Sequence, residues 1–443
     1  MPCVLGSRRS PFRDLPREVP ILSAVGFTVA LGYGVVAPVI PQFARQFGVS
    51  VAAAASVISV FAVLRVAGAL PAGRLVDRFG EPGVVAAGIA VVAVSSILAG
   101  FSGSFAELIV LRGSGGIGSA LFSIGGQALL LGRVPGHQRG RASGLYSGGF
   151  LLGGISGPAV GGLIATWSLR APFFIYGALL IVPMLIAMTV LRRPRQRGGR
   201  QHHRGAAPAG DPRPAGQESG TIPAPARFRA EIGRALHSPV FRAAAAANLA
   251  DGFAAMGVRG AIVPLFVRDV LHRSPIWTGI GFVVFAALNG IMLLPGGRIA
   301  DSIGRRPVII GGCAVSAAGL VVLAVLPGPW AFLAGMAVAG LGSGLLDVAP
   351  AAMIGDILGP RGGTLVASYQ MSGDVGAVAG PVAAGFLVDT TSYAAAFGVA
   401  AAVLAGAAAL GALAPETGPG SAAGPGSATG PARGREAGPA AGR

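Results

Sequence analysis

The sequence predicts an all-α integral membrane protein in which twelve transmembrane helices form two pseudo-symmetric six-helix bundles around a central cavity. Three observations carry this expectation. Of 443 residues, 53% are apolar and only 12% are charged, with a mean hydropathy of +0.69; a soluble domain carries about one-quarter charged residues. The apolar residues gather in runs of about 20, the length a helix needs to cross a bilayer. One segment also occurs twice, 224 positions apart: Leu70-Pro71-Ala72-Gly73-Arg74-Leu75-Val76-Asp77-Arg78-Phe79-Gly80 and Leu294-Pro295-Gly296-Gly297-Arg298-Ile299-Ala300-Asp301-Ser302-Ile303-Gly304. A duplicated unit with its charges in short connecting loops and almost none in the flanks belongs in a membrane, and two such copies enclose a site between them.

The elements follow in order. Residues 1–19 form a cytoplasmic N-terminal segment. The first bundle, 20–191, holds apolar runs near 20–40, 51–72, 83–102, 105–132, 141–166 and 171–191. The first run is of full span length and is followed by Pro38 and Pro41 instead of a small-residue cleavage site, so a cleaved signal is not expected. Residues 192–240, rich in Arg, Pro, Gly and Ala, read as a disordered cytoplasmic linker. The second bundle, 241–414, holds runs near 241–267, 275–296, 307–326, 329–358, 361–388 and 392–414. Residues 415–443, with Gly-Pro-Gly-Ser repeats, read as a disordered cytoplasmic tail. Several runs exceed what a bilayer needs, which implies tilt or extension beyond it.

Arginine sets the orientation. All 34 basic residues are Arg. With the N-terminus in the cytoplasm, 27 of them fall on the inner side, only Arg45, Arg170, Arg268 and Arg273 fall outside, and three lie within spans. That asymmetry is a strong positive-inside signal. It predicts a multi-pass protein of the cell (plasma or inner) membrane with both termini in the cytoplasm. The formal charge of +17 is thereby explained without a nucleic-acid partner. Two cysteines, Cys3 and Cys313, are too few for a disulfide framework, and the five histidines lie in loops or at helix ends, so no metal site is indicated.

The duplication extends further. At an offset of 223, Gly140, Tyr146, Gly153, Gly157, Pro158 and Gly162 match Gly363, Tyr369, Gly376, Gly380, Pro381 and Gly385. With these residues the chain resembles the major facilitator superfamily over roughly residues 20–414, and in particular its twelve-helix proton-coupled antiporters of drugs and metabolites. Gly73, Asp77, Arg78 and Gly80 match the superfamily's motif between helices two and three, and Gly297, Asp301, Gly304, Arg305 and Arg306 form the second copy. The resemblance implies gating loops in which Gly allows close packing, Asp engages the other half, and Arg joins a cytoplasmic latch. The first copy departs from the pattern by continuing with Glu81 and Pro82 where the family has two basic residues. Arg112-Gly113-Ser114-Gly115-Gly116-Ile117-Gly118 resembles the family's Arg-and-glycine motif of helix four, often linked to proton coupling. The same letters fit a dinucleotide fingerprint, but no strand precedes them and no acidic residue follows about twenty positions on. Gly153, Gly157, Pro158, Gly161 and Gly162 resemble the antiporter motif of helix five. Glycines 153, 157 and 161 share one helical face, and Pro158 removes a backbone donor and bends the helix. In the family that face packs across the interface between the halves and restricts a leak path.

Charges inside a membrane are costly enough to mark function. Away from their ends the spans hold Arg65, Arg112, Asp251, Arg259, Asp347 and Asp374, and spans three, six, nine and twelve hold no charge. The resemblance makes those four helices peripheral supports and the others the lining of the cavity. At about 1.5 Å per residue, Asp251 and Asp374 reach roughly the midplane, where alternating-access sites lie. Asp347 and Arg65 fall toward the inner third, and Arg112 and Arg259 toward the outer. Asp251 and Asp374 are therefore the expected proton carriers, carboxylates being the only titrating candidates because no histidine lies in a span. Helix one has no charged residue in its span, with Thr28 and Tyr33 its obvious polar handles.

The reading is a secondary active transporter that exports small organic molecules, multidrug efflux included, in exchange for protons. It needs no cofactor beyond the proton gradient, its partners are the substrate, protons and lipid, and it works as a monomer. A proton-coupled importer is the alternative, with Pro415-Glu416-Thr417 reminiscent of sugar porters. A non-transporting receptor or scaffold is the remote one. An enzyme is not expected, since no nucleophile–base or metal constellation occurs.

Overall fold

The computed structural model describes residues 15–16, 18–134, 138–189, 233, 236–357 and 363–417. Most of the 1–19 segment, most of the 192–240 linker and the tail beyond 417 lie outside the described residues. Twelve helical passes account for the described part: α1 (Glu18–Arg45), α2 (Val51–Phe79), α3 (Glu81–Phe101), α4 (Phe105–Arg133), α5 (Arg139–Ala165), α6 (Ala171–Thr189), α7 (Pro239–Asp269), α8 (Pro275–Ile303), α9 (Arg305–Val325), α10 (Pro329–Asp356), α11 (Gly363–Thr390) and α12 (Tyr393–Ala412). All twelve are long and apolar enough to cross a membrane. No strand occurs among the described residues.

The packing repeats with the sequence. In the first half α1 packs on α5, and α4 packs on α2 and α3; in the second, α7 packs on α11, and α10 packs on α8 and α9. Across the halves α2 meets α11 and α5 meets α8. Ser50, Ser104, Ser238 and Ser392 start helices by accepting from the backbone N–H three residues on, at 3.1–3.4 Å.

The repeated segments are not loops. α2 runs unbroken to Phe79 and α8 to Ile303, through Pro71 and Pro295, so Gly73 to Phe79 are helical. A single glycine then turns the chain into the next helix: Gly80 at φ 79° and Gly304 at φ 106°, a region side chains avoid. A lone proline costs one hydrogen bond and a kink, and nothing after it breaks the helix before the glycine.

Four passes are interrupted, and each has a proline just past the break. α1 breaks at 37–39 before Pro41, α6 at Leu180 before Pro183, and α10 at Asp347–Val348 before Pro350. In α7 the interruption is a π-helical stretch, Phe253–Ile262, ahead of Pro264. Proline has no N–H to donate and its ring crowds the carbonyl four residues back, which favours widened hydrogen bonding upstream. The three tryptophans, Trp167, Trp277 and Trp330, all stand at the arginine-poor end, two of them strongly exposed, as residues of a membrane interface do.

Candidate functional site

The site begins with the interruptions of α7 and α10. Wider π turns rotate less per residue, so Arg259 returns toward the face of Asp251, eight positions earlier. The break in α10 falls at Asp347 itself. These side chains meet in a cavity of about 350 Å³ between the halves, bounded by Tyr33 of α1, Phe150 and Ile155 of α5, Met256 of α7 and Phe282 and Phe285 of α8. Ser343 of α10 donates to Asp251 Oδ1 at 2.9 Å, and Asn289 of α8 donates from Nδ2 to Asp347 Oδ2 at 2.8 Å. The Arg259 guanidinium lies 4.0 Å from the centre of the Phe285 ring, a cation–π contact.

The structure thus brings together Asp251, Asp347 and Arg259. Asp347, expected nearer the inner side, shares the cavity because Ser343, one turn before it, already reaches Asp251. Asp374 is half-buried on α11 and does not line this cavity, and Arg65 is exposed on α2. Neither has a hydrogen bond or ion pair among the described residues. Arg112 is buried inside the first half, 1% exposed, with its guanidinium 5.2 Å from the centre of the Phe61 ring and Nε and Nη1 unpartnered.

Reading only the charged residues passed over Asn289 and Ser343. The signal was available for one of them: Asn289 is the sole amide side chain in the Pro275–Ile303 run.

The glycines of α5 act differently from the resemblance. A Cβ on Gly153, Gly157 or Gly161 would lie 2.3, 2.4 or 2.1 Å from the carbonyl oxygen of Phe27, Leu31 or Val35, all on α1. That face therefore closes the first bundle on itself, not the seam between halves. The seam is made by the next position round: a Cβ on Gly162 would meet Pro275 O at 2.9 Å and Gly279 Cα at 3.0 Å on α8. The repeat reproduces both roles. Gly376 and Gly380 face α7 at Leu249 O and Phe253 O, 2.1 and 2.7 Å, while Gly385 faces Ala52 Cα of α2 at 2.6 Å. Backbones can approach this closely at all four helix pairs only where side chains are missing.

Cross-half contacts lie at the arginine-poor end and at mid-depth. Gln42 donates to Pro264 O at 3.1 Å, Asp389 accepts from the N–H of Val51 and Ala52 at 2.8 and 2.7 Å, and Ser59 donates to Val378 O at 2.7 Å. Toward the arginine-rich end, a Cβ on Gly73, Gly144 or Gly148 would meet nothing within 4 Å, and a second, largely apolar cavity of about 780 Å³ opens beside Ser23, Phe27 and Arg141. The hydrogen bonds that join the halves among the described residues thus gather at the arginine-poor side of the site.

In the first gating segment Asp77 is exposed and has no partner among the described residues, and Arg78 rests beside Phe79, 5.3 Å from its ring centre. Among the described residues neither side chain forms a hydrogen bond or ion pair with the other half. The second copy has its latch, but within its own half. Arg305, 7% exposed, pairs with Asp301 and Asp356, each at 3.0 Å. Glu416, beyond α12, accepts from the first two N–H groups of α9 at 2.8 and 3.2 Å, and Thr417 Oγ1 donates to Asp356 at 3.0 Å. Glu81 stands where the second copy has Arg305, so this cluster is not repeated in the first half.

Comparison with known proteins agrees with this architecture. The chain is similar to Multidrug resistance protein 1 of Bacillus subtilis (strain 168), 30% identical over 179 residues, and to Quinolone resistance protein NorA of Staphylococcus aureus (strain Mu50 / ATCC 700699), 27% identical over 170 residues. These alignments take in 40% and 38% of this chain and 46% and 44% of those proteins, so the chain matches less than half the length of each relative. Among solved structures, a bacterial homolog of the human lysosomal transporter Spinster, crystallised in an inward-facing and occupied conformation, superposes with a TM-score of 0.68 at 16% identity, over 89% of this chain and 96% of that one. A POT family transporter in complex with a thioalcohol-conjugated peptide gives 0.68 at 10% identity, over 90% and 96%. At such identities the likeness is one of fold. The family profile itself matches residues 22–258 and 244–437, nearly the whole of both repeats. A duplicated six-helix bundle, packed along glycine seams around a charged cavity, is matched by that profile in each half: the chain belongs to the Major Facilitator Superfamily.

Proposed function

We propose that the protein exports small organic compounds in exchange for protons, by alternating access, as a monomer in the inner (plasma) membrane. Both termini and the 192–240 linker face the cytoplasm, following the arginine asymmetry, and the described conformation is then inward-facing. One observation carries the reading: two carboxylates, Asp251 and Asp347, stand in the same cavity, held by neutral donors. Such a pair can exchange bound protons for substrate, because a proton and a substrate group compete for the same oxygens. Closed at the outer end, the site loses protons to the cytoplasm and takes up substrate; reopened outward, it does the reverse. Each ligand shifts the two states only by its difference in affinity for them. No cofactor is required. A difference of one pH unit supplies about 1.4 kcal/mol per proton, enough for about tenfold accumulation at one-for-one exchange.

The resistance proteins to which the chain is similar support export over import. The test is dye flux in reconstituted vesicles. Their orientation is established by labelling a Gly205→Cys variant with an impermeant thiol reagent in intact cells, where no labelling is expected. Uphill movement of dye away from the linker side, driven by protons moving toward it, is the predicted result. Movement of dye and protons in the same direction would make the protein an importer instead.

A further inference from the structure

Opposite charges share the central cavity without pairing. Asp251 is tied to Ser343, Asp347 to Asn289, and Arg259 to the face of Phe285. Among the described residues no ion pair joins Arg259 to either carboxylate, and Arg259 donates no hydrogen bond. Each charged group is thus positioned by a neutral partner on another helix, before any ligand arrives. In a largely apolar chamber, opposite charges that have not closed on each other direct their attraction at whatever enters.

The chemistry of the three groups selects the occupant. A guanidinium is planar and has five N–H donors; with one face on Phe285, its edge remains free for a bidentate contact to a carboxylate. The carboxylates accept from an ammonium. A simple cation entering here meets the repulsion of Arg259, and a simple anion meets that of two carboxylates; a molecule carrying both signs meets neither. The walls, Phe150, Phe282 and Met256, suit an aromatic or aliphatic body, and about 350 Å³ suits a drug-sized one.

We propose that the substrates are zwitterionic amphiphiles, with their carboxylate on Arg259 and their ammonium on Asp251 and Asp347. This rests on the exporter reading for its direction, but recognition itself is independent of flux. An ammonium seated on the acidic pair excludes the proton from it, so the same contact that reads the substrate also makes the exchange obligatory.

The experiment compares two dyes that differ in one group: rhodamine 110, which carries amines and a free carboxylate, and rhodamine 123, its methyl ester, a plain cation. Binding to the purified protein is followed by fluorescence anisotropy, and pH-driven flux of both dyes is followed in vesicles. The wild-type protein should bind the zwitterion roughly tenfold more tightly than the ester, the effect of one charge-assisted contact. Arg259→Gln should bring that ratio close to one, and Arg259→Lys should keep part of it. Because the ratio is taken within one sample, a general loss of folded protein cancels. A wild-type ratio near or below one, absence of zwitterion binding, or a ratio unmoved by Arg259→Gln would overturn the assignment. Normal uphill flux of the ester in those cases would show that the exporter reading survives it; tight zwitterion binding without uphill flux would leave the recognition standing and remove the exporter.

Discussion

Asp389→Ala tests whether the closed end is held by a contact that exists only when it is closed. The Asp389 carboxylate, at the end of α11, accepts from the N–H of Val51 and of Ala52, the first residues of α2, at 2.8 and 2.7 Å. Those donors are the free end of a helix in the other half, where the backbone dipole favours a negative charge. A helix cap is worth about 1 kcal/mol, and the exposure of this carboxylate keeps it from exceeding that. Donor and acceptor separate when the end opens, so the whole amount acts on the equilibrium between the two conformations, a shift of about fivefold toward opening at the arginine-poor end. Spin labels on Ser168 and Arg273, in the two halves at that end, report it by electron–electron resonance: the long-distance population should rise about fivefold in Asp389→Ala. Ser104→Ala is the control, since Ser104 caps α4 wholly within the first half, at 3.3 Å from Glu107 N. An unchanged distribution in Asp389→Ala, or an equal shift in Ser104→Ala, would refute the reasoning.

Two further outcomes concern the scaffold. Gly157→Leu should lower the yield of folded protein sharply in size-exclusion chromatography, because its Cβ would lie 2.4 Å from Leu31 O and force α1 and α5 apart, an overpacking cost of about 1–3 kcal/mol or more; Gly154→Leu, with nothing within 4 Å and its position on the cavity wall, should fold normally and reduce transport. Glu416→Ala should lower stability by about 1–2 kcal/mol through loss of the cap on α9, read as a lower temperature at which a thiol-reactive dye reaches buried Cys313 in a chain with Cys3 replaced.

The sequence made the scaffold legible because its signals are one-dimensional. Span-length apolar runs found all twelve helices, and the 223–224-residue repeat found the two bundles, since glycines that must touch a neighbouring backbone recur wherever that contact recurs, as Gly157 and Gly380 do. Which neighbour they touch was not legible. Gly161 and Gly162 are adjacent letters, yet one faces α1 and the other α8, because a step of 100° on a helix changes the partner. The cavity was half legible. Asp251, Arg259 and Asp347 could be singled out as charges within spans, but depth along an assumed straight helix put Asp374 ahead of Asp347. The interruptions of α7 and α10 invalidate that assumption, and each is foreshadowed only by a proline further on, Pro264 and Pro350. The asymmetry of the site was visible as well: at the repeat offsets, Asp251 corresponds to Thr28 and Asp347 to Ser123, so duplication supplied the frame and divergence the charges. Glu416 was read as a family reminder, and its work at α9 depends on a turn of chain that spacing alone does not reveal.

Proton movement driven by substrate is the direct measure of whether the carboxylates of the cavity exchange protons for substrate. In vesicles with a trapped pH-sensitive dye and no imposed gradient, adding rhodamine 110 on the side that takes it up should drive protons in the opposite direction in the wild-type protein. Asp251→Asn and Asp347→Asn should each abolish that proton movement while retaining exchange of labelled for unlabelled dye, because the amide keeps its hydrogen-bonding neighbours Ser343 and Asn289 within reach but cannot take up a proton. Undiminished substrate-driven proton movement in the double variant would overturn this reading and place the proton elsewhere, with Asp374 the remaining acid near the middle of a span.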